Sequence, residues 1–214
     1  MKGNQTLRRL GTCLFILTFL FLPWAQAEAA LKTPTAQEFQ AMNLFLSNFT
    51  EIGIQTISRA SPDKDLVDFA HDHMWFNSPD RYSYGTYFSG NNCRVADTNI
   101  QSTIDAYFYD APDVDVRQTR FDYKDGYYYH QETGGWTHDC FALTTSVCSL
   151  GDNLWYISFV GFGAGEDWSN EDLSLCFEQA VQKFGAPQCC GCALVYAADL
   201  SDRSTYKMLS FSRI

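Results

Sequence analysis

The sequence predicts an α+β fold: three N-terminal helices packed on a curved antiparallel sheet of about six strands, with an extra helix before the last hairpin. Two observations carry this. In the first half, apolar residues recur three and four apart behind helix-start signals. In the second half, short apolar and β-branched runs are separated by Gly/Asp/Asn turns. Helices and hairpins segregated along a chain indicate α+β architecture with an antiparallel sheet.

The elements follow in order. Thr33-Pro34 opens the first helix, and Thr35 with Glu38 forms a capping box, each side chain serving the other's backbone N–H. Phe39, Met42, Phe45, Leu46 and Phe49 then lie on one face. Ser61-Pro62-Asp63 opens a second helix, with Leu66, Phe69, Ala70 and His73 on one face. Thr98 and Gln101 cap a third, which carries Ile100, Ile104, Tyr107 and Phe108. Between the second and third, 77–92 reads as a loop rich in Asn, Ser, Gly and Tyr. Three hairpins follow. Strands 117–123 and 127–130 flank Lys124-Asp125-Gly126, strands 140–149 and 154–160 flank 150–153, and strands 193–198 and 206–212 flank 200–203. A helix over 170–184 precedes the last hairpin and stops at Gly185 and Pro187. A cone-like sheet of the NTF2 or cystatin type fits this order.

The first 27 residues read as a secretory signal peptide. Lys2, Arg8 and Arg9 precede the apolar run 14–22, and Pro23 and Ala25-Gln26-Ala27 supply the cleavage pattern. That run is too short for a transmembrane helix, which needs roughly 20 residues. The expected product is residues 28–214, a single domain, secreted or periplasmic and without a membrane partner after cleavage. The signal holds three of the 15 basic residues and none of the 25 acidic ones. The remainder therefore carries about −13 charges, which opposes binding to nucleic acid or anionic lipid. Aromatics at 16% and charged residues at 19% indicate a folded globule.

Asn43-Leu-Phe-Leu-Ser-Asn-Phe-Thr-Glu51, Leu66-Val-Asp-Phe-Ala-His-Asp-His73, Tyr123-Lys-Asp-Gly-Tyr-Tyr-Tyr129 and Gly151-Asp-Asn-Leu-Trp-Tyr-Ile-Ser-Phe159 occur in that order. In these segments the chain resembles an uncharacterised family of secreted bacterial proteins, many of them lipoproteins. The resemblance implies a fold and an exported location. It implies no activity, so no catalytic residue is carried over. The chain departs from the family in lacking a lipobox and in its cysteine content.

Seven of the eight cysteines follow the signal. In an oxidising compartment Cys140, Cys148, Cys176, Cys189, Cys190 and Cys192 are disulfide candidates, and Cys93 sits in a loop without an evident mate. Cys140 and Cys148 lie eight apart on one strand, about 26 Å, so they do not bond to each other. Their even spacing puts both on one face. Cys176 reaches Cys189 or Cys190 if the turn at Gly185 folds the chain back. Cys189-Cys190-Gly191-Cys192 could hold a metal with Cys140 or His138, but paired Cys-x-x-Cys knuckles are absent, and no metal or cofactor is expected.

The remaining constellations are weaker. On a helix, His71 and His73 point roughly 200° apart, so His71 is expected in solvent and His73 in the core. His138-Asp139-Cys140 has the residue types of a thiol nucleophile and its base, but no helix N-terminus to activate the thiol. Gly161-Phe-Gly163-Ala-Gly165 is followed by Glu166 and Asp167, where a dinucleotide loop needs glycine and tolerates no carboxylate. Asp110, Asp113 and Asp115 lack the glycine and glutamate of a calcium loop. Alternation places Tyr127 and Tyr129 on one sheet face, and they form with His73 and Trp136 the candidate binding residues.

The first functional expectation is a non-enzymatic domain that takes a small molecule, peptide or envelope protein in the concavity between sheet and helices. The second is an exported enzyme using His73 with an Asp or Tyr as an acid–base pair. The third is a metal or redox protein built on the cysteine cluster.

Overall fold

The computed structural model describes residues 30–131, 140–163 and 168–214. Residues 1–29, which include the expected signal, and Trp136, His138, Asp139, Gly165, Glu166 and Asp167 lie outside them. Among the described residues the fold is α+β, with four α-helices, a six-stranded antiparallel sheet and a second sheet of four strands.

Strand β1 (Ala30–Lys32) leads into helix α1 (Ala36–Thr50). The capping box forms there: Glu38 N donates to Thr35 Oγ1 at 3.3 Å, and Thr35 N donates to Glu38 Oε2 at 2.8 Å. Strand β2 (Thr56–Ser58) and helix α2 (Asp63–Asn77) follow. Asp63 and Asp65 in the first turn of α2 complement the positive end of its dipole. Strand β3 (Ser83–Tyr84) lies inside the expected 77–92 loop, and β4 (Cys93–Ala96) directly follows it. Helix α3 (Asp97–Tyr107) starts without a side-chain cap. Thr98 sits inside its first turn. Gln101 is spent elsewhere: its Oε1 accepts from Val114 N at 3.2 Å and its Nε2 donates to Pro112 O, which pins the following loop.

The first hairpin is β5 (Asp122–Lys124) with β6 (Tyr127–His130). Asp125 and Gly126 have φ of 54° and 78°, the double positive φ of a hairpin turn that favours Asp-Gly. Strand β5 is shorter than expected because α2 captures the chain before it. Asp115 N donates to Asp63 Oδ2 at 2.7 Å and Arg120 N to Asp68 Oδ1 at 3.2 Å, so these N–H groups leave the ladder. The second hairpin is β7 (Phe141–Gly151) with β8 (Leu154–Phe162), turning at Asp152 and Asn153, again both at positive φ. Helix α4 (Phe177–Phe184) is half the length expected. A separate 3₁₀ turn, Asp172–Ser174, precedes it, and Cys176 N donates to Gln179 Oε1 to restart the chain as α4. Strands β9 (Cys189–Ala197) and β10 (Tyr206–Arg213) close the fold.

The large sheet runs β1-β7-β8-β9-β10-β2 and the small sheet β3-β4-β6-β5. One expectation is thereby corrected. The first hairpin does not join the other two. It pairs through β6 with β4, Cys93 opposite His130 and Ala96 opposite Tyr127. The six strands of the large sheet are completed by β1 and β2, three residues each.

Between the sheets and the helices the interior is filled by rings. Phe49 stacks on Phe69 at 4.8 Å and on Phe211 at 5.3 Å, and Phe159 stacks on Phe211 at 5.2 Å. Val95 and Tyr128 of the small sheet belong to the same buried cluster. A second cluster, Phe141, Leu143, Phe162, Leu173 and Ala180, covers the opposite face of the large sheet at one end. Phe177 and Val181 of α4 are exposed. No helix among the described residues is long and apolar enough to cross a membrane.

The polar residues of α1 are as deeply placed as its rings. Asn43, Ser47 and Thr50 are fully buried and lie along the first half of β7. Asn43 Oδ1 accepts from Thr144 N at 2.7 Å, Ser47 Oγ accepts from Ala142 N at 2.9 Å, and Thr50 Oγ1 donates to Cys140 O at 2.8 Å. Asn43 Nδ2 also donates to Leu173 O at 2.8 Å. Spaced at i, i+4 and i+7, the three side chains satisfy backbone groups that β1, which pairs only with 147–149, does not reach.

Candidate functional site

The two faces of the small sheet carry different chemistry. Strand alternation sends Cys93, Val95, Tyr128 and His130 inward against α2, and Arg94, Tyr127 and Tyr129 outward. On the outer face the Arg94 guanidinium lies 4.7 Å from the Tyr87 ring and 4.4 Å from the Tyr127 ring. Tyr129 is buried behind it, its ring 6.1 Å from Tyr87, 5.8 Å from Phe88 and 6.4 Å from Tyr127. Lys124 Nζ stands 4.9 Å over the Phe88 ring. Tyr84 and Phe88, at 52% and 43% exposure, extend the patch into solvent. Arg94 Nε is buried and has no hydrogen-bond partner among the described residues. Two cations are thus held against ring faces, where the quadrupole attracts them. Trp136, the fourth candidate, lies outside the described residues.

On the inner face Cys93 Sγ is 3.0 Å from His130 Nε2 and 3.2 Å from His130 O. This corrects the placement of Cys93 in a loop without a mate: it is a strand residue with a cross-strand imidazole. His130 in turn meets His71 edge-to-face at 4.9 Å and Trp75 at 4.6 Å. His71 is buried too, not solvated, because α2 is covered on both sides. It stacks on Phe121 at 3.6 Å, and burial together with His130 and Arg120 holds its pKa well below the ordinary value. A thiol beside an imidazole is the donor set of a nucleophile and its base. Cys93, however, is 0% exposed, so the pair is sealed from substrate.

His73 faces the other way. Asn77 Nδ2 lies 3.1 Å from His73 Nδ1 and also donates to Glu51 Oε1. The His73 ring stacks on Phe69 and is 4.4 Å from Tyr107, whose hydroxyl accepts from Asn48 Nδ2 at 2.8 Å. Burial, with Arg203 and Arg81 nearby, lowers the His73 pKa to about 3. Burial raises Glu51 to about 7 against the opposing Asn77 hydrogen bond. A surface cleft of about 240 Å³ is lined by Phe45, Tyr107, Arg203 and Tyr206. Tyr107 stands between it and His73, and burial raises the Tyr107 pKa to about 12. His73 therefore lines no concavity between sheet and helices, which the Phe49 cluster occupies.

The sulfurs divide between the two faces of the large sheet. The bulge between Thr144 and Ser146 reverses the alternation of β7, so Cys140 lies on the core face and Cys148, opposite Tyr156, on the outer one. The expectation of a shared face assumed an unbroken strand. Cys190 and Cys192, opposite Val160 and Ser158, are also on the outer face. Cys189, opposite Gly161, is on the core face. Cys176 is exposed at the start of α4. No disulfide is formed among the described residues, but Cys140 Sγ and Cys189 Sγ come to 3.6 Å. No group of three or more His, Cys, Asp or Glu side chains among the described residues is placed to hold a metal.

Compared with known proteins, the chain matches no family model, no curated protein and no solved structure.

Sequence reasoning reached Tyr127 and Tyr129 through alternation and placed Tyr87 and Phe88 only within the 77–92 loop. It missed Arg94, His130, Glu51 and Arg213. Arg94 sits on a strand of four residues, too short for a period to register. The run of three tyrosines opposite a basic residue was the available signal.

Proposed function

We propose that the chain is an exported, non-enzymatic binding domain whose ligand docks on the outer face of the small sheet. The observation that carries this reading is Arg94 fixed between Tyr87 and Tyr127, beside the exposed Tyr84 and Phe88. Stacking fixes the guanidinium plane without consuming its N–H edge, leaving a fork suited to a carboxylate. The flanking rings suit a flat apolar face. A small glycan bearing a single carboxylate offers both, and one charge meets little of the long-range repulsion that opposes a polyanion. The site thus moves from the concavity to the outer face, while Tyr127 and Tyr129 remain its centre. The large sheet, laid over α1 in the manner of NTF2- or cystatin-like cones, serves as the rigid support. The signal-like start supports export, and sequencing exported material should find Glu28 as the first residue.

The binding test is a panel of neutral and carboxylate-bearing glycans, read by calorimetry. Acidic members should bind, and Arg94→Ala should weaken them about 10- to 100-fold, the loss expected for one charge-assisted contact. Tyr127→Ala should weaken them less. Equal binding of neutral and acidic members, or an Arg94→Ala protein that binds as well as the parent, sinks the proposal.

The acid–base alternative has less support. His73 and Glu51 are buried and both meet Asn77, and Tyr107 stands between His73 and the nearest cleft.

A further inference from the structure

At one end of the large sheet's core face, residues from successive strands form a polar row. Cys140 precedes β7, Gly161 is on β8, Cys189 opens β9 and Arg213 ends β10. Cys140 and Cys189 flank a strand and would ordinarily be kept apart by the side chain between them. Here that residue is Gly161. A Cβ on it would lie 2.4 Å from Cys189 Sγ and 2.7 Å from Cys140 Sγ, so only glycine lets the two sulfurs meet across β8. Arg213 Nη1 donates to Cys140 Sγ at 3.3 Å, while Gln55 Oε1 accepts from Arg213 Nη2 at 2.8 Å and Nε at 3.2 Å. A guanidinium is donor-only, and its hydrogen bond to sulfur favours the thiolate, the reactive form. A cleft of about 220 Å³, lined by Gln55, Cys140, Gln188, Cys189, Arg213 and Ile214, opens onto the pair. Cys189 is half-buried at its edge, and Cys140 lies behind at 2% exposure.

We propose that Cys140 and Cys189 form an exchange-active dithiol that reduces small disulfides entering this cleft. The accessible Cys189 thiolate attacks a disulfide RSSR, forming Cys189–S–S–R and releasing RS⁻, which is protonated to RSH. The Cys140 thiolate, held by Arg213, then attacks the Cys189 sulfur and expels the second RS⁻. Two protein thiols are oxidised to one disulfide, one small disulfide is reduced to two thiols, and the two protons leave with them. Cys190 and Cys192 point to the opposite face and take no part. The site is separate from the aromatic face of the small sheet and stands or falls independently of it.

The probe is oxidised glutathione with the folded, reduced chain from residue 28, followed by rapid acid quench and peptide mapping by mass spectrometry. The parent should pass through a glutathione adduct on Cys189 to a Cys140–Cys189 disulfide that reduced glutathione reopens. Cys140→Ser should accumulate the adduct on Cys189, and Cys189→Ser should leave Cys140 unmodified. Arg213→Gln should slow ring closure about tenfold, and Arg213→Lys should restore part of the rate. Should a variant fail to fold, as circular dichroism would show, the parent's time course still decides. Independent glutathione adducts on both cysteines overturn the proposal. So does a folded protein inert until denatured, or a Cys140–Cys189 bond that reduced glutathione does not open.

Discussion

Glu51 shows how a single buried side chain sets a pH dependence. Its carboxyl ionises near 4.5 in the unfolded chain and at about 7 in the folded one, raised by burial. Below pH 4.5 both states hold the proton and its contribution to stability is fully present. As pH rises to about 7 the unfolded state ionises first, and about 3 kcal/mol is lost. Asp72, raised by burial to about 6 despite Arg120, acts in the same sense. His71 and His73 act in the opposite one. Their pKa values are depressed, so the stability they supply is present above pH 6.5 and is lost as pH falls. The two trends oppose each other between pH 4.5 and 6.5. Glu51→Gln removes one of them and keeps an acceptor for Asn77. Urea unfolding should therefore show the variant more stable than the parent at pH 8 by about 2–3 kcal/mol and close to it at pH 4.5. A variant less stable at pH 8 would show that ionised Glu51 is compensated in the fold.

At the scale of elements, helix α1 does two jobs with two faces. Phe45, Leu46 and Phe49 pack the core, and Asn43, Ser47 and Thr50 serve the backbone of β7. Phe49→Ala should cost about 3–5 kcal/mol through lost burial and a cavity. Asn43→Leu keeps the branched shape and removes no volume but strands Thr144 N and Leu173 O. A buried unpaired backbone group costs about 1–3 kcal/mol, so thermal unfolding should show a loss approaching that of Phe49→Ala. A neutral Asn43→Leu would mean that water or another side chain takes over both groups. The polar letters of the 43–51 segment were visible in the sequence, but their purpose was not, because their partners lie about a hundred residues away. The capping box of α1 and the hairpin turns at Asp125-Gly126 and Asp152-Asn153 were legible because local chemistry determines them. β1 to β4 were not. Each has two to four residues, and β1 and β2 exist only through pairing with distant strands, Leu31 with Cys148 and Ile57 with Phe211.

For the whole molecule, the unforeseen division into two sheets raises the question of whether they melt separately. They share one core: Cys93, Val95 and Tyr128 of the small sheet are in the same cluster as Phe159, Val195 and Phe211 of the large one. Calorimetry should accordingly give one transition with equal calorimetric and van't Hoff enthalpies. Two resolved peaks would show the small sheet to be a separate cooperative unit. The candidate binding site was half legible for a related reason: alternation gave Tyr127 and Tyr129 their common face, but Arg94 and Tyr87 reach it only through strand pairing. The same pairing brings Cys140 to Cys189, and no spacing rule could have found two sulfurs meeting over a glycine on a third strand. The polar side chains of α1 have a consequence beyond stability. An open strand border is a template on which a second molecule can add its own backbone, the first step toward aggregation and fibres. With Asn43 and Ser47 occupying the N–H groups of Thr144 and Ala142, that template is closed to newcomers. The protein is thereby kept from polymerising along β7, the longest strand among the described residues.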